Sequence, residues 1–497
     1  MRGFSATLIC ILCWPGLSHA IGVRTHSEMA ERAMDNYLLP QPEAMLPGVQ
    51  AYFSNETNRR AIYSGNAWTD WGYGGMNPQA GEDGHWFPFL HAYATLLKER
   101  YPTPWTPEAE REIAFFLGTL CHSITDLPWH FGNEAHPSFI QAATAGDGSG
   151  HVACDFGSDI FTHTSQTLNP PMRLEDFFYP IDTIHAAYER FGKAPSRIQM
   201  LRGAKRECAM WITGLEKAPN ILPSVRERSP WVEKNLEGYY FGGVQNNAAN
   251  AAHWFRYYYA WLQGWVVLQN SPEFANGAPG YVPYTGAQDV TLLERAPANN
   301  TGAEPYLGIA GNGPGNAREA RLRFDLSTAG LTTVSKATLW IYVARRDESA
   351  HPGDKEIACH AVEAPWEEGT QYTHEVDGTD GRPVENGEIC WAMANAPGGV
   401  ALASLNTAST SPAPLSTASI PASEPVGMWL PFDITPAARA WLANPAANHG
   451  VALRETPASA AHPGALHALA SEAWKNQADG LGGGDRINYR PMLVLQP

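Results

Sequence analysis

Residues 105–130 read WTPEAEREIAFFLGTLCHSITDLPWH, and the reading of this stretch decides how the rest of the chain is parsed. Thr106 has the side chain of a helix N-cap, Pro107 suits the first helical position, and Glu108 and Glu110 put negative charge in the first turn. Apolar residues at helical spacing follow, so one long helix is expected. On that helix His122 and Asp126 stand four apart, on one face and about 6 Å from each other along the axis. His130 comes four residues later. Three possible metal ligands in nine residues of an otherwise greasy helix raise the question of an ion, although a single His/Asp pair at this spacing also reads as a surface hydrogen bond.

The same helical grammar runs outward on both sides. It recurs in HWFPFLHAYATLLKERY (85–101), IHAAYERFG (184–192), RIQMLRGAKRECAMWITGLEKA (197–218) and NAANAAHWFRYYYAWLQGWVVL (247–268). A mainly α domain is therefore expected over 21–268, followed by a Gly-, Pro- and Asn-rich linker over 269–286. From 287 to 497 the period changes to two. Ala320, Leu322, Phe324 and Leu326 alternate with Arg321, Arg323 and Asp325, and KATLWIYVAR (336–345) does the same. Half-buried strands of an antiparallel β-sandwich are expected, with one short helix at TPAARAWLAN (435–444) and a long loop over the Ala/Ser/Thr/Pro-rich stretch 396–425.

Composition limits the setting. The chain has 497 residues, a net charge of -16 and seven cysteines. Residues 1–20, MRGFSATLICILCWPGLSHA, have the apolar run and small-residue ending of a secretory signal peptide, with the mature chain starting at Ile21. No later stretch is long and apolar enough for a membrane span. A secreted or periplasmic protein is expected, with peripheral membrane contact at most. Of the remaining cysteines, Cys121, Cys154, Cys208, Cys359 and Cys390, the last two are the preferred disulfide pair. The acidic charge argues against a general nucleic-acid surface. Nucleophile elbows, phosphate loops and dinucleotide fingerprints are absent from the sequence.

Eight of the 17 histidines fall between residues 21 and 165, namely His26, His85, His91, His122, His130, His136, His151 and His163. HVACDFGSD (151–159) sets His151 and Asp155 at the spacing of His122 and Asp126. Two such pairs within 34 residues match the imidazole and carboxylate donors that Zn²⁺ takes. Asp70 in a Gly/Trp-rich loop and His85 are further candidates that spacing alone leaves open, each having a plain structural reading as well. His26 lies five residues after Ile21, whose freed α-amine is itself a competent ligand. His91 and His163 read as ordinary helix histidines, and Asp159 as support for a ligand. Trp68, Trp71, Trp86 and Trp129 flank these positions, as groove lining or as core.

The order of a histidine five residues after the mature start, an Asp loop, a single His, H-x-x-x-D, a nearby His and a second H-x-x-x-D resembles the zinc-dependent phospholipase C and single-strand nuclease superfamily. THSEMAERA, HWFPFLHAYATLLKERYPTPW, FFLGTLCHSITDLPWH and HVACDFGSD are most similar to the amino-terminal domain of the glycosylphosphatidylinositol-specific phospholipase D branch. The resemblance implies three zinc ions. One takes the Ile21 amine and carbonyl, His26 and Asp126; the second Asp70, His85, His122 and the shared Asp126; the third His130, His151 and Asp155. Asp70 and Asp126 are the implied catalytic carboxylates, and His136 is the rival to His130. The activity implied is hydrolysis of phospholipids or glycosylphosphatidylinositol-type lipids by metal-activated hydroxide attack at phosphorus, by C- or D-type cleavage. An extracellular nuclease or nucleotidase, and a surface-binding protein with structural zinc, are the alternatives. Residues 287–497 resemble the jelly-roll-like β-sandwich modules named for their DNRLRE motif, which implies a carbohydrate or cell-surface ligand. The acidic stretch EVDGTDGRPVENGE (375–388) reads as a hairpin loop and also offers oxygen ligands to Ca²⁺.

Overall fold

The structure, a computed structural model, describes all residues except 1–21, 74–75, 133–136, 166, 271–283, 305, 312–314, 347–352, 372–380, 385–387, 393–409, 422–427, 458–464 and 471–488. The signal peptide, Ile21, His136 and most of the acidic stretch 375–388 therefore lie outside the described residues. The described chain forms two compact units, a helical one within 22–41 and 48–263 and a β-rich one within 42–47 and 264–497. No helix among the described residues is long and apolar enough to cross a membrane.

The helical unit is built from α1 (Val23–Arg32), α2 (Val49–Ser54), α3 (Glu56–Trp68), α4 (Pro78–His85), α5 (Phe87–Arg100), α6 (Pro107–His130), α7 (Phe139–Asp147), α8 (His151–Ser165), α9 (Ile181–Arg190), α10 (Arg197–Arg228), α11 (Pro230–Asn235) and α12 (Val244–Leu262). The long α6 starts as its sequence dictates: the Thr106 side chain accepts from the Ala109 amide and Pro107 occupies the first turn. Pro128 sits inside it and has no N–H to offer the Ile124 carbonyl, which accepts instead from Asn250 on α12 at 3.4 Å. α3 and α6 cross at glycines. A Cβ on Gly65 would lie 2.0 Å from the Phe115 carbonyl oxygen, and one on Gly118 would lie 1.9 Å from that of Ile62. Only a pair of residues without side chains lets these two backbones approach so closely.

The last helix of this unit ends earlier than its sequence pattern suggests. α12 stops at Leu262, Gly264 takes the left-handed conformation at φ +83°, and Val266–Gln269 forms strand β1. An apolar run with two adjacent β-branched residues after a helix-stopping glycine suits a strand better than a helix. The region read as linker accordingly begins inside a strand.

The second unit holds β2 (Ala287–Leu293), β3 (Asn299–Asn300), β4 (Tyr306–Ile309), β5 (Arg318–Phe324), β6 (Lys336–Arg346), β7 (Lys355–Ala361), β8 (Arg382–Pro383), β9 (Ser416–Ile420), β10 (Met428–Asp433), β11 (Val451–Glu455), β12 (Leu466–Leu469) and β13 (Met492–Gln496), with helix α13 at Thr435–Ala443. One antiparallel sheet runs β1-β13-β6-β12-β4, with β10 also paired to β6, and the other runs β2-β5-β11-β7-β9. Ala320, Leu322 and Phe324 from one sheet and Leu339, Ile341 and Val343 from the other meet in a shared core, the sandwich that alternating sequence predicts. Three expectations fail here. Ser416–Ile420, inside the stretch read as loop, pairs with β7 because the edge of that sheet is open to it. The polar side of β5 is not solvated: Arg321 is fully buried on Glu319, and a second cluster of Val290, Leu292, Val362, Trp366, Ile389 and Ala452 covers this face. Cys359 and Cys390 are both free and buried. Cys359 points into the core between the sheets.

Candidate metal centre

Five elements deliver one to three polar side chains each to a common region of the helical unit. α1 brings His26, the turn Thr69–Gly72 after α3 brings Asp70, α4 ends on His85, α6 carries His122, Asp126 and His130 down one face, and α8 carries His151 and Asp155. They fall into three groups whose donor atoms lie within 4.8 Å of one another: His26, His122 and Asp126; Asp70, His85 and His122; His130, His151 and Asp155. Asp126 faces four of the imidazoles. Its carboxylate oxygens are 3.3 Å from His26 Nε2, 3.5 Å from His122 Nε2, 3.5 Å from His130 Nε2 and 4.0 Å from His85 Nε2. Of the sequence-predicted set, His26, Asp70, His85, His122, Asp126, His130, His151 and Asp155 are thus brought together, and Ile21 lies outside the described residues.

The hydrogen bonds on the far side of the imidazoles decide what the near side can do. His122 Nδ1 meets the Asn66 carbonyl at 2.7 Å and His85 Nδ1 meets the Gly81 carbonyl at 2.8 Å, so both must carry their proton on Nδ1. Thr125 Oγ1 gives its proton to the Cys121 carbonyl and so accepts from His26 Nδ1 at 2.7 Å. In each ring the Nε2 lone pair is left facing carboxylate oxygens. Buried Nε2 atoms of His26, His122 and His130 make no hydrogen bond. Lone pairs aimed at carboxylates need a cation between them, and separations of 3.3–3.6 Å suit two donors on one zinc, which lie about 3.4 Å apart when each is about 2.1 Å from it. The residues present fit zinc.

Electrostatics agree. Burial alone would raise the Asp70 and Asp126 carboxyls, but His122 and its neighbours outweigh it and hold both below the ordinary range. Burial opposes a charge on His122, yet Asp70 and Asp126 push it up to about 10, so these carboxylates favour positive charge at Nε2, whether brought by a proton or by a metal ion in its place. His26 is lowered to about 4 by burial and by His122, which keeps its ring neutral. The third group is the most open, with the His151 side chain 34% exposed against 2% or less for His26, His85 and His122.

Several contributors had no sequence signature. Besides Thr125, the Trp129 indole donates to Asp155 Oδ1 at 3.0 Å, and Arg206 on α10 donates to the Asp70 carbonyl at 3.1 Å and to the Tyr73 carbonyl, fixing the turn that presents Asp70. Backbone acceptors such as those of Asn66 and Gly81 leave no trace in side-chain spacing. Trp68, Trp71 and Trp129 are fully buried and pack in the core, Trp68 and Trp71 near Tyr188 and Trp129 on Phe139. Trp86 instead meets the 55%-exposed Phe131 edge-to-face beside His85 and His130. His91 and His163 are buried outside the three groups.

Comparison with known proteins places this geometry. Residues 25–216 match the family described as zinc dependent phospholipase C, and residues 280–374 match carbohydrate-binding module family 96. Phosphatidylinositol-glycan-specific phospholipase D of Rattus norvegicus is 24% identical over 308 residues, covering 59% of this chain and 34% of that protein. The Homo sapiens protein of the same name is 25% identical over 258 residues (47% and 30%), and that of Bos taurus 26% over 249 residues (46% and 28%). The chain spans about a third of the length of these curated relatives. Residues 25–216, which hold the three donor groups, thus match the zinc dependent phospholipase C family in sequence as they do in the kind of donor they bring together.

Proposed function

We propose that this chain is an exported, zinc-dependent hydrolase of phospholipids or glycosylphosphatidylinositol-type lipids, releasing a head group by cleavage at phosphorus. The observation that carries the reading is the set of three donor groups joined through Asp126 and His122, made only of imidazole and carboxylate. Closed structural zinc sites favour cysteine, whereas such mixed sets leave positions for water and substrate. The ligands in this reading are Ile21, His26 and Asp126 for one ion, Asp70, His85, His122 and Asp126 for the second, and His130, His151 and Asp155 for the third. Bound zinc would offset the phosphodiester's charge and lower the pKa of the attacking water.

The protein's own part is to hold that centre and choose what reaches it. Asp126 and Asp70 keep the buried groups in register through charge, and the Nδ1 anchors fix each imidazole's aim. Substrate enters at the open third group, where Trp86 and Phe131 offer an apolar rim suited to acyl chains at a peripherally contacted membrane. The β-unit serves as an accessory module for a carbohydrate or cell-surface ligand, supported by its family match.

Metal analysis by mass spectrometry beside hydrolysis of phosphatidylcholine, a glycosylphosphatidylinositol anchor and single-stranded DNA tests the reading. About three zinc per chain with lipid head-group release is expected. Hydrolysis of DNA alone, or no bound zinc, would refute it. Asp126→Asn should lose zinc and hydrolysis together while the β-unit unfolds at its usual denaturant concentration; full activity in that variant would remove the shared-carboxylate scheme.

A further inference from the structure

One ridge of α8 carries His151, Asp155 and Asp159 at successive steps of four. The first two belong to the third donor group, but Asp159 belongs to none. Its carboxylate turns instead to the start of α1. Asp159 Oδ1 accepts from the Thr25 amide at 2.9 Å and from the Thr25 hydroxyl at 3.0 Å, and the Thr162 hydroxyl lies 3.2 Å from the same Thr25 oxygen. Thr25 is the third residue of α1, whose amide an N-cap side chain ordinarily serves. The N-cap here is Gly22, which has no side chain to give. Its lack of one is also what admits Asp159: a Cβ on Gly22 would lie 2.0–2.4 Å from the carboxyl atoms. Gly22 has φ −59°, so room rather than backbone freedom is the requirement.

Thr25 immediately precedes His26. The cap therefore ties the backbone beside one donor group to the helix that carries another, across 134 residues of sequence. We propose that Asp159 is a positioning residue of the metal centre, capping α1 from α8 so that the His26 segment is held in register with His151 and Asp155. The proposal rests on the zinc reading above. Its operative feature is an acceptor oxygen at one place, not a negative charge.

A cap that merely stabilised α1 would leave zinc affinity alone, so the test reads metal. Full-length protein and the variants Asp159→Ala, Asp159→Asn and Thr25→Val would be titrated with zinc against a competing chelator. Cobalt(II) absorption would be recorded in parallel with His26→Ala as reference. Asp159→Ala should weaken one zinc by roughly 10–100-fold and remove the cobalt band that His26→Ala removes. Asp159→Asn, which keeps an acceptor oxygen, should stay within about threefold of the parent. Thr25→Val, which loses one donor at constant shape, should cost about fivefold and keeps the test alive should the alanine variant not fold. Unchanged zinc affinity in Asp159→Ala or Thr25→Val, or an asparagine variant as weak as the alanine one, would overturn the proposal. Parent protein that binds no zinc would overturn the functional reading along with it.

Discussion

His122 shows at the scale of one side chain what the sequence could and could not reveal. Its spacing from Asp126 announces a shared helix face, but the Asn66 carbonyl that orients its ring is a backbone atom and has no signature. Asp155 was legible in the same way, and the Trp129 indole that steadies it was not, since tryptophan beside a ligand is as often packing. A titrating group outside the centre offers a separate check. Burial pushes the Glu31 carboxyl from 4.5 up to about 7, against the Asn169 amide and Arg59, which favour the ionised form. The folded chain thus keeps a proton that the unfolded chain releases, and Glu31's share of stability falls as pH rises from about 4.5 to about 7. Glu31→Gln, which cannot ionise, should flatten that slope; denaturation midpoints measured across the window would show it, and an unchanged slope would contradict it.

Among elements, the crossing of α3 and α6 bears most directly on the site. Asn66 and Asp70 follow from α3, His122, Asp126 and His130 from α6, and the Gly65/Gly118 contact sets how far apart the two sources are. Gly118→Ala should destabilise the helical unit by about 2–3 kcal/mol and lower its zinc content, because the new methyl group would meet the Ile62 carbonyl. Calorimetry with metal analysis would detect both; a variant as stable as the parent would mean that the helices slide freely. Neither glycine stood out in sequence, where a glycine inside a helix reads only as a weak position. Long periodic elements were legible for the opposite reason: α6 and β6 repeat their pattern often enough to exclude other readings. β1 and β9 are four and five residues long, and a strand that short exists only because a neighbour's edge is there to pair with it.

At the level of the whole molecule, two grammars in the sequence became two compact units, while the covered outer face of the five-stranded sheet stayed hidden, because loops far apart in sequence build it. Where one unit is cut from the other matters. A fragment of residues 264–497 keeps β1 against β13, through Val266–Leu495 to Gln269–Met492, whereas one of residues 270–497 lacks it. The longer fragment should unfold at higher urea, and equal midpoints would show that β1 adds nothing. That same pairing sets an order in time. A ribosome delivers β1 more than two hundred residues before β13, so the growing chain must carry its helical half, already able to fold, ahead of a sheet that stays open until residues 492–496 emerge. A message cut short near its 3′ end would yield a chain whose β6 lacks its β13 partner although the helical unit is complete, and that bare edge is what chaperones and proteases would recognise.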